Sequence, residues 1–143
     1  MTKTIAKEKV LKLHKKVKTF ILTCVSDGGY PLTKAVVATK HRESLDEIYF
    51  CTNTSSKFAL AVMQNSKGSV YFYSRKIFLW KGCFLKGDFE IVSKIETKKK
   101  FWDARFKNAY EEKSFTDPDF CVLRFKPIAG RFYSNFTIED FDI

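Results

Sequence analysis

The pattern of this chain predicts a mainly β domain of α+β composition: a barrel of six to seven antiparallel strands with excursion helices. Two observations carry this. Short strand-like runs follow one another along the sequence, broken by turn signals, and helical spacing occurs only between some of them. Closure of such strands into a barrel removes exposed edges. An open α+β sheet has the same periodicity and remains the alternative. The 143 residues fit a single domain, 1–143, with an N-terminal helix in 1–18 and an acidic tail at 135–143.

The elements follow in order. Residues 4–17 have helical spacing, with Val10, Leu13, His14 and Val17 on one face. Residues 19–26 are strand-like. Asp27-Gly28-Gly29-Tyr30-Pro31 is a turn, and Leu32–Thr39 completes a hairpin. After the polar loop from His41 to Asp46, Glu47–Thr52 is a third strand. A helix covers Ser55–Gln64, with Gly68 placed for its C-cap. Ser69–Ser74 is a strand. Leu79–Val92 is a longer one, with bulges or close backbone approach expected at Gly82 and Gly87. Residues 96–107 suit a helix, and Phe120–Phe125 and Arg131–Ser134 suit two final strands around Pro127 and Gly130.

Composition narrows the class. Hydrophobic residues make up 45% of the chain and 15 of its aromatics are Phe, so the core can be large without needing polar partners. There is no apolar run of membrane-spanning length and no secretory leader pattern, so a cytoplasmic protein without membrane contact is expected. Cys24, Cys51, Cys83 and Cys121 lie far apart in apolar runs. They read as buried free thiols rather than metal ligands. The net charge of +10 suits a phosphorylated ligand or nucleic acid. The basic residues do not form an arginine-rich stripe with stacking aromatics, and a nucleic-acid partner is not expected.

The segment Tyr49–Ala59 carries the chemistry. An apolar strand runs into Thr52-Asn53-Thr54-Ser55-Ser56-Lys57, and then a helix begins. A helix N-terminus offers free N–H groups and the positive end of its dipole. The hydroxyls and Lys57 add donors and charge suited to a phosphate. The simpler role is a helix cap by Thr54 or Ser55.

This cluster follows the hairpin segment Gly29-Tyr30-Pro31-Leu32-Thr33-Lys34-Ala35-Val36. The pairing resembles the pyridoxamine 5′-phosphate oxidase-like superfamily, the FMN-binding split barrels, and within it the general stress protein branch of bacteria. The matching residues are Gly29, Pro31, Lys34, Thr52, Asn53, Ser55 and Lys57, then Gly87 and Glu90, then Pro127 and Tyr133. The resemblance covers roughly residues 18–134.

The resemblance implies FMN as cofactor. Lys34 and Lys57 would hold its phosphate, helped by Ser55 and Ser56. The backbone of Thr33, Lys34, Ala35 and Val36 would run along the flavin ring. Thr52 and Asn53 would lie at the ring or ribityl chain, Gly82 beside the flavin, and Tyr133 against it from a partner subunit. It also implies a homodimer with the flavin at the interface. Lys34 stands where the family often has Arg, and the acidic tail stands where true pyridoxamine phosphate oxidases carry an Arg-x-His-type segment. The expected reaction is therefore not that oxidation. It is redox transfer between an NADH or NADPH donor and another small-molecule acceptor, with no catalytic acid, base or nucleophile identified. The alternative is a non-enzymatic flavin or haem binder, or a stress-related protein, on the same fold.

Overall fold

The computed structural model describes residues 1–143. Its elements are α1 (Lys3–Lys16), β1 (Thr19–Val25), β2 (Pro31–Val37), β3 (Ile48–Asn53), α2 (Lys57–Gln64), β4 (Lys67–Lys76), β5 (Leu79–Val92), α3 (Ile95–Phe101), β6 (Phe120–Ser134) and β7 (Thr137–Asp142). The strands form one antiparallel sheet in the order β2-β1-β4-β5-β6-β3, and β7 pairs with the C-terminal half of β6. The sheet curls but does not close: β2 and β3, its two ends, share no ladder. The mainly β, antiparallel split-barrel architecture thus stands. The full closure suggested by periodicity does not, because the seam between β2 and β3 is bridged by side chains. Thr39 Oγ1 donates to the Tyr49 carbonyl at 3.1 Å, and Lys34 Nζ donates to Thr52 Oγ1 at 3.0 Å.

Alternation along the strands fills the interior. Phe20 and Leu22 of β1, Phe50 of β3, Phe72 of β4, Leu85 of β5, and Leu123, Phe125 and Phe132 of β6 are fully buried. Phe20 meets Phe72 edge-on at 5.1 Å and Phe50 at 5.4 Å. Ala6, Val10, Leu13 and His14 of α1 join this core, with α1 packed on β7 and β4. A second cluster lies on the other face of β3 and β6. There Phe101, Phe120 and Val122 gather Cys51, Trp102, Phe106 and Tyr110.

Several boundaries differ from the sequence reading, each for a physical reason. Gly68 is not a C-cap: Asn65 ends α2 in an extended conformation. Gly68 lies within β4, where a Cβ would strike the Thr23 carbonyl and the Phe89 ring. The expected helix over 96–107 breaks after Phe101. Asp103 accepts from the Arg105 N–H at 2.9 Å and starts a separate 3-10 turn over Ala104–Ala109. The two expected final strands are one. Pro127 is tolerated inside β6 because it sits at a bulge opposite the register shift between Lys86 and Gly87, where its missing N–H costs little. The acidic tail is β7, whose Phe141 is buried in the core while Asp140 pairs outside with Arg131 at 2.7 Å. All four cysteines are free thiols. No helix is long and apolar enough to cross a membrane.

Candidate functional site at the open seam

β2 is an edge strand, and its register with β1 sets what it offers the seam. The Ala38 N–H donates to the Lys18 carbonyl and the Ser26 N–H to the Tyr30 carbonyl. In an antiparallel ladder the bonded pairs alternate, so Leu32, Lys34 and Val36 bond to β1. The N–H and carbonyl groups of Thr33, Ala35 and Val37 therefore point to the open edge. The side chains alternate the other way: Lys34 and Val36 turn inward, while Thr33 and Ala35 are exposed.

Lys34 is half-buried, its ammonium 5.0 Å from the Phe58 ring centroid and bonded to Thr52. Thr52 Oγ1 lies 3.3 Å from Ser56 Oγ, which accepts from the Ala59 N–H at 3.1 Å. Ser56, and not Thr54 or Ser55, is thus the N-cap of α2. No carboxylate lies within ion-pair distance of Lys34 or of Lys57, the exposed first residue of α2. Burial pulls the Lys34 pKa below the ordinary lysine value, against the opposing pull of the Cys121 and Cys24 thiols.

The hydroxyls of the loop do not all face the same way. Thr54 Oγ1, the Ser55 N–H and Ser55 Oγ donate to the Asp119 carboxylate at 2.9, 2.9 and 3.0 Å. Those bonds hold the Asp119 carboxyl below the usual carboxylate range. Ser55, expected as a phosphate donor, is therefore engaged by the protein's own anion. Asn53 is held as well, its side-chain carbonyl accepting from the Tyr110 hydroxyl. Asp119→Ala should cost about 1 kcal/mol in urea unfolding, because the loop loses three bonds at a partly solvated site where screening reduces their worth. An unchanged midpoint would show that the loop is held by other contacts.

Lys34, Cys51, Thr52, Asn53, Ser56, Phe106 and Tyr110 line a cavity of about 290 Å³. A second cavity of about 200 Å³ shares Cys51 and Phe106 with it and continues along the seam past Val36. Of the expected site residues, Lys34, Thr52, Asn53 and Ser56 line the first cavity and Val36 the second, while Thr33 and Ala35 are exposed on β2 and Lys57 is exposed at the start of α2. Gly82 and Tyr133 do not join them within one chain. They pair with each other, with Gly82 three strands away from β2 in the sheet. Gly82 is glycine because a Cβ there would run into the Tyr133 ring, whose hydroxyl contacts those of Tyr71 and the Trp80 indole. Sequence reasoning missed Phe106, Tyr110 and Asp119, which come to the site from 50–65 residues away through the segment after α3. Burial pushes the Tyr110 hydroxyl up to about 12 and the Cys51 thiol to about 12, so neither ionises near neutral pH. There is no cluster of side chains able to hold a metal ion.

A split barrel with an unpaired cation and hydroxyls at its seam matches a known class of proteins. The family model described as pyridoxamine 5′-phosphate oxidase like matches residues 6–138, and the chain belongs to that family. Among solved structures it is similar to a protein related to general stress protein 26 from Clostridium acetobutylicum, described as of the pyridoxinephosphate oxidase family. Identity there is 25%, coverage is 100% of this chain and 97% of that one, and the TM-score is 0.81. General stress protein 26 from Bacillus anthracis shares the fold at 20% identity, covering 96% and 98%, with a TM-score of 0.77. So does a haem binding protein from Mycobacterium smegmatis, at 12% identity, covering 96% of this chain and 57% of that one, with a TM-score of 0.76. No curated protein sequence matches the chain.

Proposed function

We propose that the seam binds FMN and that the protein is an FMN-dependent oxidoreductase acting on a small molecule. The observation that carries this reading is Lys34, a half-buried ammonium with no carboxylate partner, bonded only into a row of hydroxyls. A buried cation without a counter-ion calls for an anion from outside. Lys34, Ser56 and Lys57, with the free N–H groups of the first turn of α2, would hold the phosphate. The cofactor's chemistry when bound is hydride or electron transfer at the flavin ring. The protein's part is to position that ring along β2, where the open-edge N–H groups of Thr33 and Ala35 can donate to it. Phe106 and Tyr110 supply aromatic lining to the cavity. The reading requires that purified protein carry or take up FMN, turn yellow, and accept electrons from NADH or NADPH. Tight flavin binding with no turnover of any acceptor would favour a non-enzymatic flavoprotein. Haem uptake in place of FMN would favour the other reading that this fold permits.

The same reading calls for a second copy of the chain. Ile77 and Phe78, at the β4–β5 tip, are 89% and 93% exposed, and Phe136, at the β6–β7 tip beside it, is fully exposed. The two tips are tied together by Asn135, which exchanges hydrogen bonds with the Trp80 backbone. At roughly 150–250 Å² per aromatic ring, these residues with Tyr73, Trp80 and Ile138 exceed the patch of a few hundred Å² usual on a monomer. They supply about the 800 Å² per partner of a standard interface. Tyr133 borders this face, as the family resemblance requires of a residue reaching the partner's cofactor. Sedimentation at micromolar concentration should give a dimer, and Phe78→Asp with Phe136→Ser a monomer. A monomeric wild-type protein would remove the dimer from this reading.

A further inference from the structure

We propose that the outward side of α1 is a peripheral docking surface for an anionic lipid bilayer. The helix carries Lys3, Lys7, Lys9, Lys12, Lys15 and Lys16, all exposed, with Glu8 as its one acidic residue. No carboxylate lies within ion-pair distance of any of them. The acidic strand β7 meets the helix at its start, where Asp140 and Asp142 share a groove with Lys3 and Asp140 is bonded to Arg131. Beyond Glu8 the positive charge runs unopposed from Lys9 to Lys16, and exposed Lys18 follows it. Arg42 adds a cation at the far end, donating to the carbonyls of His14, at 2.8 Å, and Val17.

Helical spacing sorts these side chains into rows. Ala6, Val10, Leu13 and Val17 are buried in the core. Ile5, Lys9, Lys12 and Lys16 repeat the same intervals one residue earlier, so they form a second row about 100° round the helix. Ile5 heads that row and is 42% exposed. The apolar row already packs against the sheet, so the helix has no such face to bury in a bilayer. Contact is therefore electrostatic, reversible and confined to the surface. No helix is long and apolar enough to span a bilayer. The expectation of no membrane contact rested on that feature, which bears on crossing a bilayer and not on lying against one. Two features favour lipid over nucleic acid. α1 has no Arg, Asn or Gln, whose planar groups bond bidentately to phosphate or to base edges. Ile5 gains nothing from a sugar-phosphate backbone, whereas beside lysines it reaches the headgroup boundary of a bilayer. The surface does not depend on the flavin reading.

The test is co-sedimentation of the protein with vesicles of phosphatidylcholine, alone or with about 30% phosphatidylserine. A lysine near an anionic surface is worth about fivefold in partitioning, so Lys9, Lys12, Lys15 and Lys16 predict at least about 100-fold tighter binding to the anionic vesicles at about 0.1 M salt. Salt at about 0.5 M should release the protein, because screening then acts within a few ångström. Lys9→Glu with Lys12→Glu and Lys16→Glu should weaken binding at least about 100-fold, and Ile5→Ser about threefold. The three lysines changed to Gln, which keeps helix propensity, should weaken it at least about 30-fold. Lys94→Glu with Lys99→Glu and Lys107→Glu changes the net charge equally at exposed positions off the helix, and should cost less than about fivefold. Equal binding to the two vesicles, binding insensitive to salt, or equal losses from the two Glu triples would overturn the proposal. Tighter binding to a mixed-sequence DNA duplex than to the anionic vesicles, at matched phosphate and salt, would overturn it too and assign the face to nucleic acid.

Discussion

Lys34→Met weakens FMN binding by roughly 10- to 100-fold and leaves the apoprotein at least as stable as the wild type. The first half follows from the 1.5–3 kcal/mol that a hydrogen bond to a charged partner is worth away from bulk water. The second half follows from the burial of the ammonium, which lowers the Lys34 pKa and has no carboxylate to offset it. Methionine keeps an unbranched apolar stem and removes the desolvated charge that sits over the Phe58 ring. A residue kept at a cost to the apoprotein is one that serves a ligand. Lys57→Ala should cost only about three- to tenfold, since that side chain is exposed and screened. Fluorescence quenching of free FMN on titration with each variant measures both losses. Equal losses at the two positions would mean that the inward placement of Lys34 contributes nothing. A fall in the melting temperature of the Lys34→Met apoprotein would show that the ammonium is structural.

His14 makes the fold acid-sensitive well above the carboxylate range. Its ring is buried between Phe20 and Phe72, at 5.4 and 5.8 Å, and neither ring nitrogen has a hydrogen-bond partner. Burial first, and then the nearby charges of Arg42 and Lys15 acting in the same direction, lower its pKa to about 4. In the unfolded chain the ring takes up a proton near 6.5, while in the native state it does so only near 4. The neutral ring is therefore accommodated without loss above the unfolded value, and stability falls as pH drops from there through the native value. The loss is about 2 kcal/mol between pH 7 and pH 5 and about 3 kcal/mol once complete. His14→Leu removes this dependence. At neutral pH it should be neutral or stabilising, because it replaces two orphaned polar atoms by apolar ones. Urea midpoints at the two pH values, compared between wild type and variant, give the difference. Parallel curves would show that His14 finds a partner in solution.

The strands and the seam differed in how far the sequence disclosed them. Alternation marked β1, β3, β4 and β5 close to their ends, because each buries one face in a Phe-rich core. The tail escaped because its acidic residues outweigh Phe141, the one side chain that anchors it. Pro127 hid the continuity of β6, since nothing local marks the bulge that tolerates it. At the site, Lys34, Thr52, Ser56 and Lys57 were legible because two neighbouring segments supply them. Asp119 was not: its engagement of Ser55 is a contact across 64 residues that no periodicity records. The close approach at Gly82 was legible in the strand pattern, but a cofactor role for Gly82 and Tyr133 came from the family resemblance alone, and within one chain they meet each other and not the cradle.

Calorimetric titration of the wild-type apoprotein with FMN and with riboflavin isolates the phosphate. If Lys34, Ser56 and Lys57 form an anion cradle, FMN binds at least about 100-fold more tightly than riboflavin, the yield of two charge-assisted contacts. Equal affinity for the two flavins, or none for either, would contradict the cradle.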